Sequence, residues 1–155
     1  INSLQDLAET PLLMSADFER GTKMRLDDGS LFPSNMALGA TRNTDLAYQM
    51  GLQIAKECRA IGIGQNYAPV VDINNNSDNP IINVRSYGED ADLVSKMGDA
   101  FIKGMQDGNV IATAKHFPGH GDTDIDSHSD LPVLNFDRSR LDNLELVPFN
   151  SATTA

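Results

Sequence analysis

The stretch NVIATAKHFPGHGDTDIDSH, residues 109–128, combines a strand-like run with a long polar loop. It opens with a mostly apolar run, NVIATAKHF (109–117), which has the length expected of a strand buried on both faces and ends near Lys115 and His116. A polar loop follows, and the whole stretch contains all three histidines of the chain. A buried strand that delivers basic side chains into a long polar loop is typical of the active-site face of a parallel α/β barrel.

Two upstream runs have the same apolar character. PLLMSAD (11–17) ends on an acidic residue, and IGQNYAPVVDI (63–73) ends close to another. Both runs are short and bounded by polar segments, which indicates strands rather than helices. We therefore expect three parallel strands, near residues 11–17, 64–72 and 110–116.

Helical patterns separate these strands. The segments 44–62 and 89–108 carry apolar residues at spacings of three and four, and each ends at a glycine. The tail, 137–155, predicts the start of a third helix that Pro148 must interrupt or kink. The residues expected on the buried helix stripes are Leu46, Ala47, Met50, Ile54 and Cys58, then Leu93, Val94, Met97, Phe101 and Met105.

The alternation of strand and helix predicts an α/β fold with a parallel sheet, either an open doubly wound sheet or a (β/α)8 barrel. No strand is followed by the glycine fingerprint of a dinucleotide fold. Polar residues instead follow each strand, namely Asp17, Asp72 and Lys115, which favours a TIM-type barrel. About three βα units are present, roughly three-eighths of a ring. We therefore expect residues 1–155 to be one segment of a larger barrel, truncated at both ends.

Composition narrows the class of partner. The chain has 155 residues, 40% of them apolar, and a net charge of −10, which argues against nucleic acid and anionic membranes as partners. The one cysteine, Cys58, is predicted to be an inert core thiol. No apolar run approaches the ~20 residues of a membrane span. The sequence leaves the compartment open between the cytoplasm and the cell envelope (periplasm).

The histidine loop admits three interpretations: a metal site, an acid/base pair, or a solvated loop with capping aspartates. A calcium loop starting at Asp122 would need Gly and Glu where Ser127 and Val133 stand, and no HExxH motif is present. We therefore expect neither a metal nor a cofactor. Asp126 lies two residues before His128, and such a carboxylate can orient the ring and fix its tautomer.

The stretch KHFPGHGDTDIDSH (115–128) closely resembles the signature of glycoside hydrolase family 3, in its β-N-acetylglucosaminidase branch. PLLMSADFERG resembles the second-strand segment of that family, and NYAPVVDINNNSDNPIINVRSYGED resembles the third strand and its loop. LELVPF resembles the helix after the signature loop, so the resemblance covers nearly the whole chain. The β-glucosidase branch lacks the PGHGD…DSH loop.

The resemblance implies fold, activity and residue roles. It implies the N-terminal barrel domain of a β-N-acetylhexosaminidase that removes terminal N-acetylglucosamine by a retaining mechanism. His128 would be the acid/base and Asp126 its partner, with an aspartate nucleophile outside these 155 residues. The expected substrate-binding residues are Asp17, Arg25, Arg85, Lys115 and His116. His120, Asp122 and Asp124 are expected to shape the loop, and Asp72 with Asn74–Asn76 to organise the loop after the second strand.

Other functions remain open at this point. The chain could be a non-catalytic sugar-binding or interaction module on the same barrel, or belong to a β-glucosidase or a glycoside phosphorylase. The expected partner is a carbohydrate, an N-acetylglucosaminide that could derive from peptidoglycan. Because the nucleophile and most of the ring would lie elsewhere, activity is expected to require the rest of the barrel chain.

Overall fold

The computed structural model describes residues 1–123 and 133–155. Its sheet contains three parallel strands in the order β1 (Ser15–Ala16), β2 (Gln65–Asn66) and β3 (Ile111–Ala112). Ser15 pairs with Gln65, which in turn pairs with Ile111. Sequential order and uniformly parallel pairing confirm the predicted strand–helix alternation.

The strands are shorter than the sequence predicted. Regular pairing in β2 stops before Pro69, which has no N–H to donate. The alignment then continues irregularly: Lys115 donates its backbone N–H to Pro69 O (3.1 Å), and Val71 donates to Lys115 O (2.8 Å). A parallel bridge between Val70 and Lys115 marks this extension.

Burial also differs between the strands. The run around β2 is buried as predicted, with Val70 and Val71 almost fully covered. The runs around β1 and β3 are not buried on both faces, since Leu13 is 59% and Ile111 is 51% exposed. This exposure follows from the strand order, because β1 and β3 are the outer strands of this sheet while β2 has a neighbour on each side.

The two long helices match the predicted segments closely. Among the described residues the α-helices are α1 (Asn2–Leu7), α2 (Asn35–Ala40), α3 (Thr44–Ala60), α4 (Ala91–Asp107), α5 (Arg138–Asn143) and α6 (Val147–Ala152). Asn43 caps α3, since its side chain accepts from the Asp45 N–H at 3.0 Å. Asp90 caps α4 by accepting from Leu93 N–H at 2.8 Å. Pro148 stands in the first turn of α6, so the tail forms two short helices.

The core lies where α3 and α4 pack together and onto the sheet. A Cβ on Gly104 of α4 would overlap the Tyr48 carbonyl oxygen of α3, so glycine is what permits this close crossing. Cys58 is fully buried, as predicted for a core thiol. One stripe residue was predicted wrongly: Leu46 is 43% exposed and lines a groove between α2 and α3.

No helix within the described ranges combines the length and the apolar character that crossing a membrane requires.

Candidate functional site

The carboxyl ends of the three strands bring together residues that are far apart in sequence. Lys115, after β3, donates from Nζ to Asp17 Oδ1 and lies equally close, at 2.8 Å, to Glu19 Oε1. The lysine side chain is 14% exposed, whereas Asp17 is 37% exposed. Asp17 therefore keeps lone pairs available on the solvent side.

Glu19 is a member of this site that the sequence prediction missed. Its side chain is buried, and Arg85 donates to both carboxylate oxygens, from Nε at 3.0 Å and from Nη2 at 2.6 Å. Burial by itself would raise the pKa of Glu19, but the hydrogen bonds from Arg85 and Lys115 outweigh it and hold the pKa at about 2. Glu19 is therefore an anion that neutralises and positions two cations.

The missed residue had a detectable signal. Asp17 and Glu19 are separated by Phe18, which is buried in the core. Two acids at positions i and i+2 point to the same side of an extended chain, away from an apolar residue between them. This alternation at a strand end could have predicted that both carboxylates face the site.

Arg85 joins the same group from the loop after β2. Its Nη1 donates to Ile81 O at 3.0 Å, and Asn35 holds the Arg85 carbonyl through Nδ2 at 2.8 Å. The hydrogen bonds to Glu19 raise the pKa of the guanidinium above its usual value. Arg85 pairs with Glu19, 66 positions away, rather than with the nearby Glu89. We call Asp17, Glu19, Arg85, Lys115 and His116 the strand-end cluster.

His116 completes the strand-end cluster through two opposite ring contacts. Its Nδ1 lies 2.6 Å from Asp72 Oδ2, and its Nε2 lies 3.2 Å from Arg85 Nη2. Asp72 was predicted to organise the loop after β2. It instead accepts hydrogen bonds from the loop after β3, because its buried carboxylate faces the backbone N–H groups of His116 and His120.

Arg25 lies at the rim of the cluster on a separate loop. Its Nη2 is 3.8 Å from Asp17 Oδ2, and its side chain is 58% exposed. Glu57 of α3 anchors this loop by accepting from Ser30 N–H (3.1 Å) and from the Thr22 hydroxyl. Burial alone would raise the pKa of Glu57, but these hydrogen bonds outweigh that effect and bring the pKa to about 2. An exposed arginine on an anchored loop is placed to reach a ligand.

The loop that follows the cluster is tightly held up to Thr123. A Cβ on Gly121 would overlap the Ile73 carbonyl oxygen. Gly119 has φ +134°, which favours glycine, and packs closely against Glu145. Both positions therefore require glycine. Asp122 forms an ion pair with Arg140 of α5. Asn79 donates to the His120 carbonyl at 2.7 Å. His120 and Asp122 thus have the loop-shaping role predicted for them.

Three other predicted residues, Asp124, Asp126 and His128, lie outside the described residues. The remaining candidates, Asp17, Arg25, Arg85, Lys115 and His116, are all brought to one region. Within 1–123 and 133–155, no group of three or more His, Cys, Asp or Glu side chains is arranged to hold a metal ion.

Three members of the strand-end cluster border a cavity of about 440 Å³. Asp17, Glu19, Arg25 and Arg85 line its charged side, and Ile81 and Val84 contribute an apolar wall. Carboxylates that accept, cations that donate and an apolar wall suit a polyhydroxylated ring, which has hydroxyl groups at its edge and C–H groups on its faces. The arrangement therefore has the chemical groups that binding a pyranose would require.

Comparison with known proteins agrees with this chemistry. Residues 2–155 match the family model described as "Glycosyl hydrolase family 3 N terminal domain". The chain is 40% identical over 150 residues to "Beta-hexosaminidase A" of Pseudoalteromonas piscicida, covering 94% of this chain and 25% of that protein. It is 41% identical over 128 residues to "Beta-N-acetylglucosaminidase/beta-glucosidase" of Cellulomonas fimi, covering 83% of this chain and 23% of that protein.

A solved structure matches along nearly the whole chain. It is a glycoside hydrolase family 3 β-N-acetylglucosaminidase from Paenibacillus sp. str. FPU-7, with a TM-score of 0.94 and 50% identity. The match covers 99% of this chain and 30% of that one. It confirms the predicted partial (β/α)8 architecture of about three βα units. The chain spans about a quarter of the length of the two curated relatives above.

Proposed function

Since the chain belongs to glycosyl hydrolase family 3, we propose that its full-length protein is a glycosidase of the β-N-acetylhexosaminidase type. The substrate would be a glycoside with a terminal N-acetylglucosamine, with fragments derived from peptidoglycan as one source. The relatives named β-hexosaminidase and β-N-acetylglucosaminidase support this class of activity. The PGHGD…DSH loop, which the β-glucosidase branch lacks, supports the N-acetylglucosaminidase branch.

The observation that carries the proposal is the contact between Asp17 and Lys115. It places a half-exposed carboxylate and an ammonium group side by side at the strand ends, 2.8 Å apart. Asp17 would accept hydrogen bonds from sugar hydroxyls. Lys115 has three N–H donors, and among the residues that the structure describes Asp17 and Glu19 take two of them. The site would thus be organised before substrate arrives, which reduces the cost of binding.

The chemical step we propose follows the retaining scheme of the family. An aspartate outside these 155 residues would attack the anomeric carbon while His128 gives its proton to the departing oxygen. In the second step His128 would take a proton from water, whose oxygen then displaces the aspartate. Asp126 would hold the His128 ring and stabilise its charged form. The resemblance of residues 115–128 supports these two roles.

The test uses the full-length protein with 4-nitrophenyl β-N-acetylglucosaminide and the matching glucoside. We expect turnover of the first at a kcat/KM at least ~10-fold above that of the second, because a site that hydrogen-bonds the acetamido group would reject an analogue that lacks this group. Turnover should not depend on added phosphate, and free N-acetylglucosamine should be the product. Preference for the glucoside would favour the β-glucosidase alternative. A sugar phosphate as product would show phosphorolysis, and binding without turnover would show a sugar-binding module.

A further inference from the structure

Asp72 is a buried carboxylate that the chemistry proposed above does not use. Its side chain is completely buried, behind the strand-end cluster and below the loop that follows β3. A carboxylate in such a place is costly unless donors surround it. The identity of those donors indicates what the residue does.

The donors belong to the loop after β3. The backbone N–H of His116 lies 3.1 Å from both carboxylate oxygens, and the backbone N–H of His120 lies 2.7 Å from Oδ1. The Nδ1 atom of the His116 ring lies 2.6 Å from Oδ2. Asp72 therefore fixes both the backbone of this loop and the direction of one imidazole.

The second nitrogen of that imidazole determines the tautomer. His116 Nε2 is 3.2 Å from Arg85 Nη2, and a guanidinium can only donate. Nε2 must therefore present a lone pair to Arg85, and the ring proton must lie on Nδ1, where Asp72 accepts it. The same Arg85 nitrogen donates to Glu19 at 2.6 Å, so the ring contributes to holding the arginine in the cluster.

We propose that Asp72 is a positioning residue of the sugar site: it keeps His116 in the Nδ1–H tautomer, and that tautomer keeps Arg85 in place. The chain of contacts runs from Asp72 through His116 and Arg85 to Glu19, and Glu19 in turn contacts Lys115. The kinetic consequences rest on the proposed function. The tautomer does not, because it follows from the contacts alone.

Replacing Asp72 with Asn separates these two roles. The amide oxygen of Asp72→Asn can still accept from the backbone N–H groups of His116 and His120, so the loop anchor survives. Its NH2 group then faces His116 Nδ1, and two donors cannot share one contact. The ring proton must move to Nε2, where it faces the Arg85 guanidinium donor. The variant thus changes the tautomer with little change in shape.

The experiment combines NMR and kinetics on the full-length protein. Histidines labelled with ¹⁵N give separate signals for protonated and unprotonated ring nitrogens, and a His116→Gln variant assigns those of His116. We expect the wild-type proton on Nδ1 and the Asp72→Asn proton on Nε2. Ser86→Ala, which removes the hydroxyl that donates to the Asp72 backbone carbonyl at 2.6 Å, is the matched control and should leave the tautomer unchanged.

Kinetics test the positioning role. Asp72→Asn should lower kcat/KM by ~10²-fold, the usual cost of a displaced site group. In a His116→Ala background the same change should lower kcat/KM no more than about twofold, because Asp72 can no longer act on Arg85 through the imidazole ring.

A wild-type proton on Nε2, an unchanged tautomer in Asp72→Asn, or a full additional loss in the His116→Ala background would overturn the proposal. If Asp72→Asn fails to fold, the wild-type tautomer is the deciding measurement: a proton on Nδ1 supports the proposal and a proton on Nε2 overturns it. If the wild-type protein has no hexosaminidase activity but carries the Nδ1 proton, the proposed function fails and the tautomer assignment stands.

Discussion

Lys115 donates to Asp17 across 2.8 Å, although the two residues are 98 positions apart. The contact joins the carboxyl end of β3 to that of β1, although β2 lies between these two strands in the sheet. Three parallel strands thus supply one compact set of charges at their carboxyl ends, which is where α/β barrels assemble their sites.

Replacing Lys115 with Met tests the contribution of this ammonium group to catalysis. The change removes the donor to Asp17 but leaves Arg85 on Glu19, so the cluster should stay folded. In the full-length protein kcat/KM for the N-acetylglucosaminide should fall ~10–10²-fold, the worth of a hydrogen bond to a charged group. Lys103→Met is the matched control, since Lys103 pairs with Asp107 on the exposed side of α4, and its kcat/KM should not change. Equal kinetics in the two variants would remove Lys115 from the site.

Replacing Glu19 with Gln tests the stability linked to its low pKa. The pKa falls from 4.5 to about 2 on folding, so the carboxylate stabilises the protein above pH 4.5, and this contribution disappears as the pH falls toward 2. At pH 7 the free energy of unfolding of Glu19→Gln should be lower by about 3 kcal/mol, and the difference from wild type should shrink between pH 4.5 and 2. Urea unfolding across this range measures the difference.

Glu89→Gln is the control for that experiment, because Glu89 is exposed on the loop before α4. Its stability should follow that of the wild-type protein at each pH. A Glu19→Gln difference that stays constant down to pH 2 would show that its effect comes from packing and not from the charge.

Two glycines of α4 test the helix packing. Alanine normally stabilises a helix relative to glycine by ~1 kcal/mol. Gly104→Ala should instead destabilise the protein by ~1–3 kcal/mol, because its Cβ would overlap a rigid backbone oxygen, that of Tyr48. Gly98→Ala should cost less, since its Cβ would lie 2.8 Å from a side-chain methyl group of Val71 that can move. Thermal unfolding of both variants gives the order, and an equal or reversed order would contradict the packing described.

His128 is tested through leaving groups of different acidity in the full-length protein. His128→Ala should slow a substrate with a poor leaving group by ~10²–10⁴-fold, because general acid catalysis is lost. A 4-nitrophenolate departs as a stable anion, so the glycosylation step of that substrate should suffer far less and a glycosyl-enzyme should accumulate. Asp126→Asn should show a milder form of the same pattern. Equal slowing of both substrates without an accumulating intermediate would mean that His128 only binds or shapes the site.

The sequence predicted the two long helices because these depend on local periodicity, and the alternation of strand and helix predicted the parallel order of the strands. The short helix α2 was not predicted. The segments 44–62 and 89–108 contain α3 and α4 with small shifts at their ends. Strand length was overestimated because apolar runs report burial, whereas regular pairing depends on backbone donors, and Pro69 has none. Leu46 was misplaced because the helical period does not show which neighbouring element covers a face.

The site was predictable only in part for a related reason. Polar residues at strand ends identified Asp17 and Lys115 as candidates. The alternation of Asp17, Phe18 and Glu19 predicts only which side Glu19 faces. Its contact with Lys115 and the role of Asp72 depend on contacts between segments 44 to 96 positions apart, which no local pattern contains. Asp72 illustrates the difficulty, since its position after β2 suggested the nearer loop and the folded chain brings it under the loop after β3.

A crystal structure of the full-length protein with bound N-acetylglucosamine is the most direct test of the sugar site. The account predicts the pyranose in the cavity beside the strand-end cluster, with ring hydroxyls within ~3.2 Å of Asp17 carboxylate oxygens and of Lys115 Nζ. Arg85 should remain on Glu19 and His116, as it is without the sugar. A sugar bound away from Asp17 and Lys115 at saturating concentration would contradict the account.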